Sequence, residues 1–181
     1  MKQNLKYIIL AIILLLGIFG VFSHRFDLTK EKRYTLSDAT VETLKSVKEP
    51  LTVEVYLEGD FPASFKQLQN ETQFLLEEFR KINPKIDYKF IDPIATKMSQ
   101  DTLQAMGMQP SMLPDMKDGK VSQIVLFPYA ALKYKGYGTS ISLITNQMGI
   151  DATEQLTKSI ENLEFNFAST IKSLVADQKK N

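Results

Sequence analysis

The chain has no cysteine among its 181 residues and a single histidine. Without cysteine there is no disulfide, no thiolate metal site and no thiol nucleophile. The lone histidine, His24, stands at the end of an apolar run. Histidine-based triads and multi-histidine metal sites are therefore excluded within this chain, and His24 reads more simply as an interfacial residue than as a ligand or base. No sign of charge dominates, with 22 Lys and Arg against 21 Asp and Glu. The overall charge signature of a nucleic-acid-binding protein is thus missing. Internal repeats and low-complexity segments are also missing. The lack of cysteine does not identify a compartment, because a cysteine-free domain suits cytosol and periplasm equally.

One long uncharged run is present, from Tyr7 to Ser23, with Lys2 and Lys6 before it and His24 and Arg25 after it. About 17 residues, each rising about 1.5 Å, just cross a hydrocarbon core. The run is apolar on every face, which argues against an ordinary amphipathic core helix. Two membrane readings compete. A cleaved signal peptide needs a small-x-small site, whereas Val21-Phe22-Ser23-His24-Arg25-Phe26 is bulky and then basic. A lipoprotein anchor needs the absent cysteine. The expectation is an uncleaved signal anchor over residues 1–24, contacting lipid through Tyr7, Ile8, Leu14, Leu15, Phe19 and Phe22. Its orientation is set by opposing charges. Lys2, Lys6 and the terminal amine favour a cytoplasmic N-terminus, while Arg25, Lys30, Lys32 and Arg33 pull the other way. The short N-terminal tail favours N-in, C-out, with the main domain in the periplasm.

Residues 25–49 read as a juxtamembrane linker and a short helix, with Ser37 as N-cap and Pro50 as terminator. Leu36 and Val41 form a hydrophobic staple pattern across that cap. Over residues 50–145 the pattern becomes α/β. Leu51, Val53, Val55 and Leu57 alternate with polar residues, predicting a strand buried on one face. Phe65, Leu68, Thr72, Leu75, Phe79 and Ile82 predict a long helix that Asn83-Pro84 stops. A second strand runs from Ile86 to Ile91, and a shorter helix from Ser99 to Met106. A Met- and Pro-rich loop is expected to Gly119. Ile124 to Phe127 then resembles a central strand, joined across Pro128 to Ala131–Tyr134 as a hairpin. Gly136-Tyr137-Gly138 is a turn, and Thr139 to Ile144 a further extended segment. Over residues 146–181, Asp151 and Glu154 make a capping box for one helix of about 25 residues. Its stripe is Leu156, Ile160, Leu163, Phe167, Ile171 and Leu174. Such a helix outruns a small sheet. Its later half is expected to meet a second domain or a partner subunit.

The order β-α-β-α-β-β-α implies an α/β fold with a mixed sheet, of thioredoxin-like pattern. A redox pair would sit after the first strand, where this chain reads Gly59-Asp60-Phe61-Pro62-Ala63-Ser64. The chemistry is absent even where the scaffold is present. Other candidates are thin. Glu77 and Glu78 read as a solvated helix edge. Asp92 at a strand end is the most site-like carboxylate, yet Asp-Pro is an ordinary strand terminator. Met98, Met106, Met108, Met112 and Met116 suggest an adaptable apolar contact surface over residues 106–116 rather than a metal site. No cofactor site is expected.

Several short motifs occur together in order. They are Arg33-Tyr34-Thr35-Leu36-Ser37 with Thr40 and Leu44, Pro50-Leu51-Thr52-Val53, Ile91-Asp92-Pro93, and Thr153-Glu154-Gln155-Leu156-Thr157-Lys158-Ser159-Ile160-Glu161-Asn162-Leu163-Glu164-Phe165. With the N-terminal anchor, these resemble the gliding-motility ABC transporter auxiliary proteins of the GldG type, from the Bacteroidetes. The resemblance spans nearly the whole chain. It implies a non-catalytic accessory subunit in the inner membrane, partnered by an ABC permease and its ATPase. Members of that family are longer, continuing into a second α/β domain and a C-terminal membrane helix, so this chain looks like an N-terminal portion. The alternative class is a membrane-tethered envelope enzyme or redox-type protein.

Overall fold

A computed structural model describes residues 35–117, 120–145, 147 and 149–177. The chain divides between Thr35 and Leu36, and the second unit holds all the elements that follow. The expected anchor, including Tyr7, Ile8, Leu14, Leu15, Phe19 and Phe22, lies outside the described residues. Among the described residues no helix is long and apolar enough to cross a membrane.

Helix α1 spans Asp38–Ser46. Ser37 caps it as its sequence suggests, accepting from the Thr40 amide at 3.3 Å. Its far end is closed from a distance: Asn83 Nδ2 donates to the carbonyls of Leu44 and Val47, at 2.8 and 2.9 Å. The Leu44 carbonyl also accepts from the Val47 amide at 3.2 Å, so Asn83 adds to a closure that the end of the helix begins itself. Asn83 therefore ends one helix and closes another.

Strand β1 is Leu51–Val55, helix α2 is Ala63–Ile82 and strand β2 is Ile86–Phe90. β1 and β2 run parallel, with Leu51 opposite Ile86 and Val55 opposite Phe90. Phe65, Leu68, Thr72, Leu75 and Phe79 of α2 are buried as the spacing predicts, while Ile82 is exposed. The short helix α3 is Gln100–Ala105, capped by Ser99.

Strand β5, Tyr129–Tyr134, pairs antiparallel with β1, and strand β6, Tyr137–Ser142, pairs antiparallel with β5. The result is a four-stranded mixed sheet of order β2-β1-β5-β6. Strands β3, Ser111–Lys117, and β4, Lys120–Leu126, form a separate two-stranded antiparallel ribbon.

Two expectations fail here. The Met- and Pro-rich stretch is a strand rather than a loop, and the strand at Ile124 belongs to the ribbon rather than to the centre of the sheet. Turn chemistry explains the second. A two-residue hairpin needs positive φ at its turn, and Phe127-Pro128 cannot supply it because proline holds φ near about −65°. The chain changes sheets at this point instead, and Pro128 accepts a hydrogen bond from the Leu143 amide. The true hairpin turn is Lys135-Gly136, with φ of +51° and +81°, which joins β5 to β6.

The closing helix is also not continuous. Helix α4 is Ala152–Glu161 and helix α5 is Leu163–Asp177. Asp151 caps α4 through the Glu154 amide at 2.8 Å. The break falls at Asn162, whose side chain donates to the Lys158 carbonyl at 2.8 Å. Such a bond competes with regular helical geometry. After the break α5 packs on α1, α2, β5 and β6. Phe167 meets Phe79 edge to face, with ring centroids 6.4 Å apart. Helices α1, α4 and α5 therefore share one unit with the sheet.

Candidate functional site

The sheet has two unlike faces. On one, Leu51, Val53, Val55, Ile86 and Leu132 are fully buried beneath the helical layer built by α2 and α5. The other face carries Glu54 on β1, Tyr56 just after it, Lys89 on β2 and Ala131 and Lys133 on β5. One end of this face is covered by a second apolar cluster. Tyr56, Leu103, Met108, Phe127 and Ala131 are buried in it, with Met98, Met106, Val125 and Tyr129 packed around them. β1 is thus buried on both faces, not one. A central strand sandwiched between two layers loses the clean alternation that a half-solvated strand would show.

Glu54 lies at the edge of that cluster and is only 8 % exposed. Its carboxylate accepts from Lys133 Nζ at 2.7 Å on Oε2 and from Lys89 Nζ at 2.9 Å on Oε1. The Tyr56 hydroxyl donates to Oε2 at 3.0 Å. The three strands β2, β1 and β5 are therefore pinned by one carboxylate. Lys89 stands directly opposite Glu54 across β1–β2, and Lys133 diagonally across β1–β5.

Burial pushes the Glu54 carboxyl up, but hydrogen bonds from Lys133, Lys89 and Tyr56 outweigh it and bring the pKa down to about 2. Burial and the adjoining carboxylate push the Tyr56 hydroxyl up to about 12. A proton-transfer group works best with a pKa near the operating pH. Neither group meets that condition, and the contacts tie three strands together as an ionic clamp.

The residues singled out from sequence lie elsewhere and are not brought together. Asp92 Oδ1 accepts from the amides of Ile94 and Ala95, at 2.8 and 2.9 Å, and so builds the turn that follows β2. Glu77 accepts from Gln73 and Tyr88, and Glu78 pairs with Lys81 at 2.6 Å. In the turn after β1, Gly59 has φ of +142°, and a Cβ there would lie 3.2 Å from the Phe61 ring. Met108 is fully buried, and Met98 and Met106 pack around it, so these three are core. Met112, 62 % exposed, fits the expected contact surface, and the Met116 side chain lies outside the described ones. Among the described residues no group of three or more His, Cys, Asp and Glu side chains is placed to hold a metal ion.

The stripe expected to meet a partner is largely satisfied within the fold. Leu163, Phe167 and Ile171 are at most 1 % exposed, and Leu174 is buried too, while Leu156 and Ile160 are half-buried. The contacts of α5 with α1 and α2 account for the burial of its half of the stripe. The exposed apolar residue of α5 is instead Phe165, at 70 %. Beside it, Glu164 Oε1 accepts from the Ser37 amide at 2.9 Å and its hydroxyl at 2.8 Å. This contact joins α5 to the cap of α1. Sequence reasoning missed Glu54 because a lone Glu in an alternating strand looks like its solvated face. The available signal was Lys89 and Lys133 on two other strands, which is decipherable only once the register is known.

A family model matches residues 30–133, described as a domain of unknown function, DUF7088. The chain belongs to the DUF7088 family. The matched region runs from before α1 through most of β5, so Glu54, Tyr56, Lys89 and Lys133 all fall inside the DUF7088 domain. β6, α4 and α5 lie beyond it. An uncharacterized protein of Borreliella burgdorferi is 25 % identical over 178 residues, covering 98 % of this chain and 32 % of that protein. The chain therefore spans about a third of the length of the curated relative it matches. No solved structure matches.

Proposed function

We propose that this DUF7088 protein is a non-catalytic accessory subunit of an ABC transporter complex. It is anchored in the inner membrane by residues 7–23, with its main domain in the periplasm and a permease and ATPase as partners. The link to gliding motility comes from the sequence resemblance. The greater length of the Borreliella relative fits a protein that continues beyond this region.

The observation that carries the non-catalytic reading is the turn after β1. The sheet order β2-β1-β5-β6, with β1 and β2 parallel around α2, supports a thioredoxin-like scaffold. In that scaffold the redox dithiol follows the first strand. Here the position holds Gly59, Asp60 and Phe61 with no cysteine. The Glu54 clamp on the opposite sheet face is tuned away from proton transfer. Without that chemistry, the scaffold serves as a platform.

The test is co-purification from native membranes. A permease and an ATPase recovered in fixed ratio with the chain support the reading. Recovery of the chain alone, or substrate turnover by the purified chain, would sink it.

A further inference from the structure

Four lysines gather at the end of the sheet where β1 and β2 begin and β5 turns into β6. Lys45 stands in the last turn of α1. Lys48 Nζ donates to the Lys45 carbonyl at 3.1 Å, and Lys85 Nζ donates to the Lys48 carbonyl. The Lys48 amide donates to the Tyr134 hydroxyl at 3.4 Å, and Lys135 Nζ lies 5.9 Å from the centre of the Tyr134 ring. All four lysines are exposed, and so is Tyr137 in the same turn. Nearby cations are matched: Arg80 and Lys81, in the last turn of α2, pair with Asp87 and Glu78. Among the described residues none of the four lysines pairs with a carboxylate. Helix C-termini attract cations, and α1 and α2 both end here, each supplying about half a negative charge. Glu49 adds one more, which still leaves an excess of about two positive charges. The opposite end of α1 is acidic, with Asp38 in its first turn and Glu164 bonded to its cap. A chain whose charges balance overall, 22 against 21, thus separates them along α1.

We propose that this basic end rests on the anionic headgroups of the bilayer that holds the anchor, with Tyr137 at headgroup level. The inference rests on the membrane anchor of the proposed function, and is independent of any transporter partner. The tether permits it. Residues 24–36 reach at most about 45 Å, and α1 is only about 14 Å long, so either of its ends can meet the surface. Charge decides between them. An anionic leaflet attracts lysines that come within a Debye length of it, about 8 Å, and repels Asp38 and Glu164. Each lysine at the surface favours the docked state roughly fivefold. Tyrosine suits the same depth, because its ring is apolar and its tip polar. In this pose the far end of β1 and β2, with Gly59 and Asp92, is turned away from the membrane.

The experiment reconstitutes the full chain into vesicles of phosphatidylcholine alone, or of phosphatidylcholine and phosphatidylglycerol in equal parts. Each carries a trace of lipid with a spin label on its headgroup. In the otherwise cysteine-free chain a fluorophore is attached at Tyr137→Cys or, at the far end of the sheet, at Asp101→Cys. In the anionic vesicles the spin label should quench position 137 and spare position 101. Quenching at 137 should fall to the level at 101 in phosphatidylcholine alone, in about 1 M salt, and in the double variant Lys85→Glu with Lys135→Glu. The thermal midpoint of that variant should stay at the native value, since both lysines are exposed. Equal quenching at the two positions overturns the proposal, as does quenching at 137 that charge reversal leaves unchanged. Extraction of the chain by alkaline carbonate would refute the anchor and the proposal with it. A chain retained in anionic vesicles without quenching at 137 refutes the contact alone.

Discussion

Acid should destabilise this domain through Glu54, because protonating its carboxylate breaks the contacts with Lys133 and Lys89. The Glu54 pKa is lowered from 4.5 to about 2 by Lys133, Lys89 and Tyr56, against the opposing effect of burial. A carboxyl with a lowered folded-state pKa contributes stability that is fully present above its unfolded value and lost as pH falls through the folded one. The window is therefore from 4.5 down to about 2. At about 1.4 kcal/mol per unit the shift corresponds to roughly 3 kcal/mol. The two lysines are more than half exposed, and solvent screening reduces this to about 2 kcal/mol. The perturbation is Glu54→Gln, which keeps the shape and removes the charge. It should cost about 2 kcal/mol at neutral pH, read as the midpoint of urea unfolding, and should flatten the acid limb. The decisive quantity is the difference between the two proteins. It should be constant above 4.5 and shrink toward zero as pH approaches 2. If native chain and variant lose stability in parallel across that range, the carboxylate is not clamped as described.

Three further outcomes follow from the packing. Phe167→Ala should destabilise the domain by about 3–5 kcal/mol, because Phe167 is fully buried against Phe79; a thermal midpoint left unchanged would return Phe167 to the surface. Glu164→Ala should weaken the cap of α1 by about 1 kcal/mol and speed hydrogen exchange over residues 38–46 more than over β1. The Glu164 carboxyl is itself held below the usual range, since bonds from Thr40 and Ser37 outweigh its burial, so this contribution should also fade in acid. Gly136→Val should cost more than Gly138→Val in urea unfolding, because Gly136 has φ of +81° with open space around it and Gly138 carries no such constraint.

Local signals were legible in the sequence wherever one residue does one job. Ser37, Ser99 and Asp151 all cap helices, and Asn83-Pro84 ends α2, because capping is settled within four residues. The failures occurred where two local readings compete. Phe127-Pro128 has hairpin length but the wrong φ, so length alone misassigned β4. The apolar stripe of the last helix runs through Asn162 without a gap, so periodicity does not show the one-residue break there. Phe167, Ile171 and Leu174 are buried within the fold, which periodicity alone could not show. The Glu54 clamp could not be found this way, because its partners come from strands 35 and 79 residues further along, at Lys89 and Lys133.

The two polar contacts that sequence reading missed have a common consequence. Glu54 ties β1 to β2 and β5, and Glu164 ties α5 to the cap of α1. Each bond links segments far apart in the chain, and each is made by a carboxylate held ionised at neutral pH. α1 is the first helix after the segment expected to enter the membrane. Any pull on residue 37 from that side would meet the Glu164 contact first, then the α1–α5 packing, and so the Phe167 core. Tension would load the buried centre of the domain rather than peel away its first helix. The force at which α1 detaches should therefore fall when Glu164 is replaced by Ala, and an unchanged force would remove that contact from the load path.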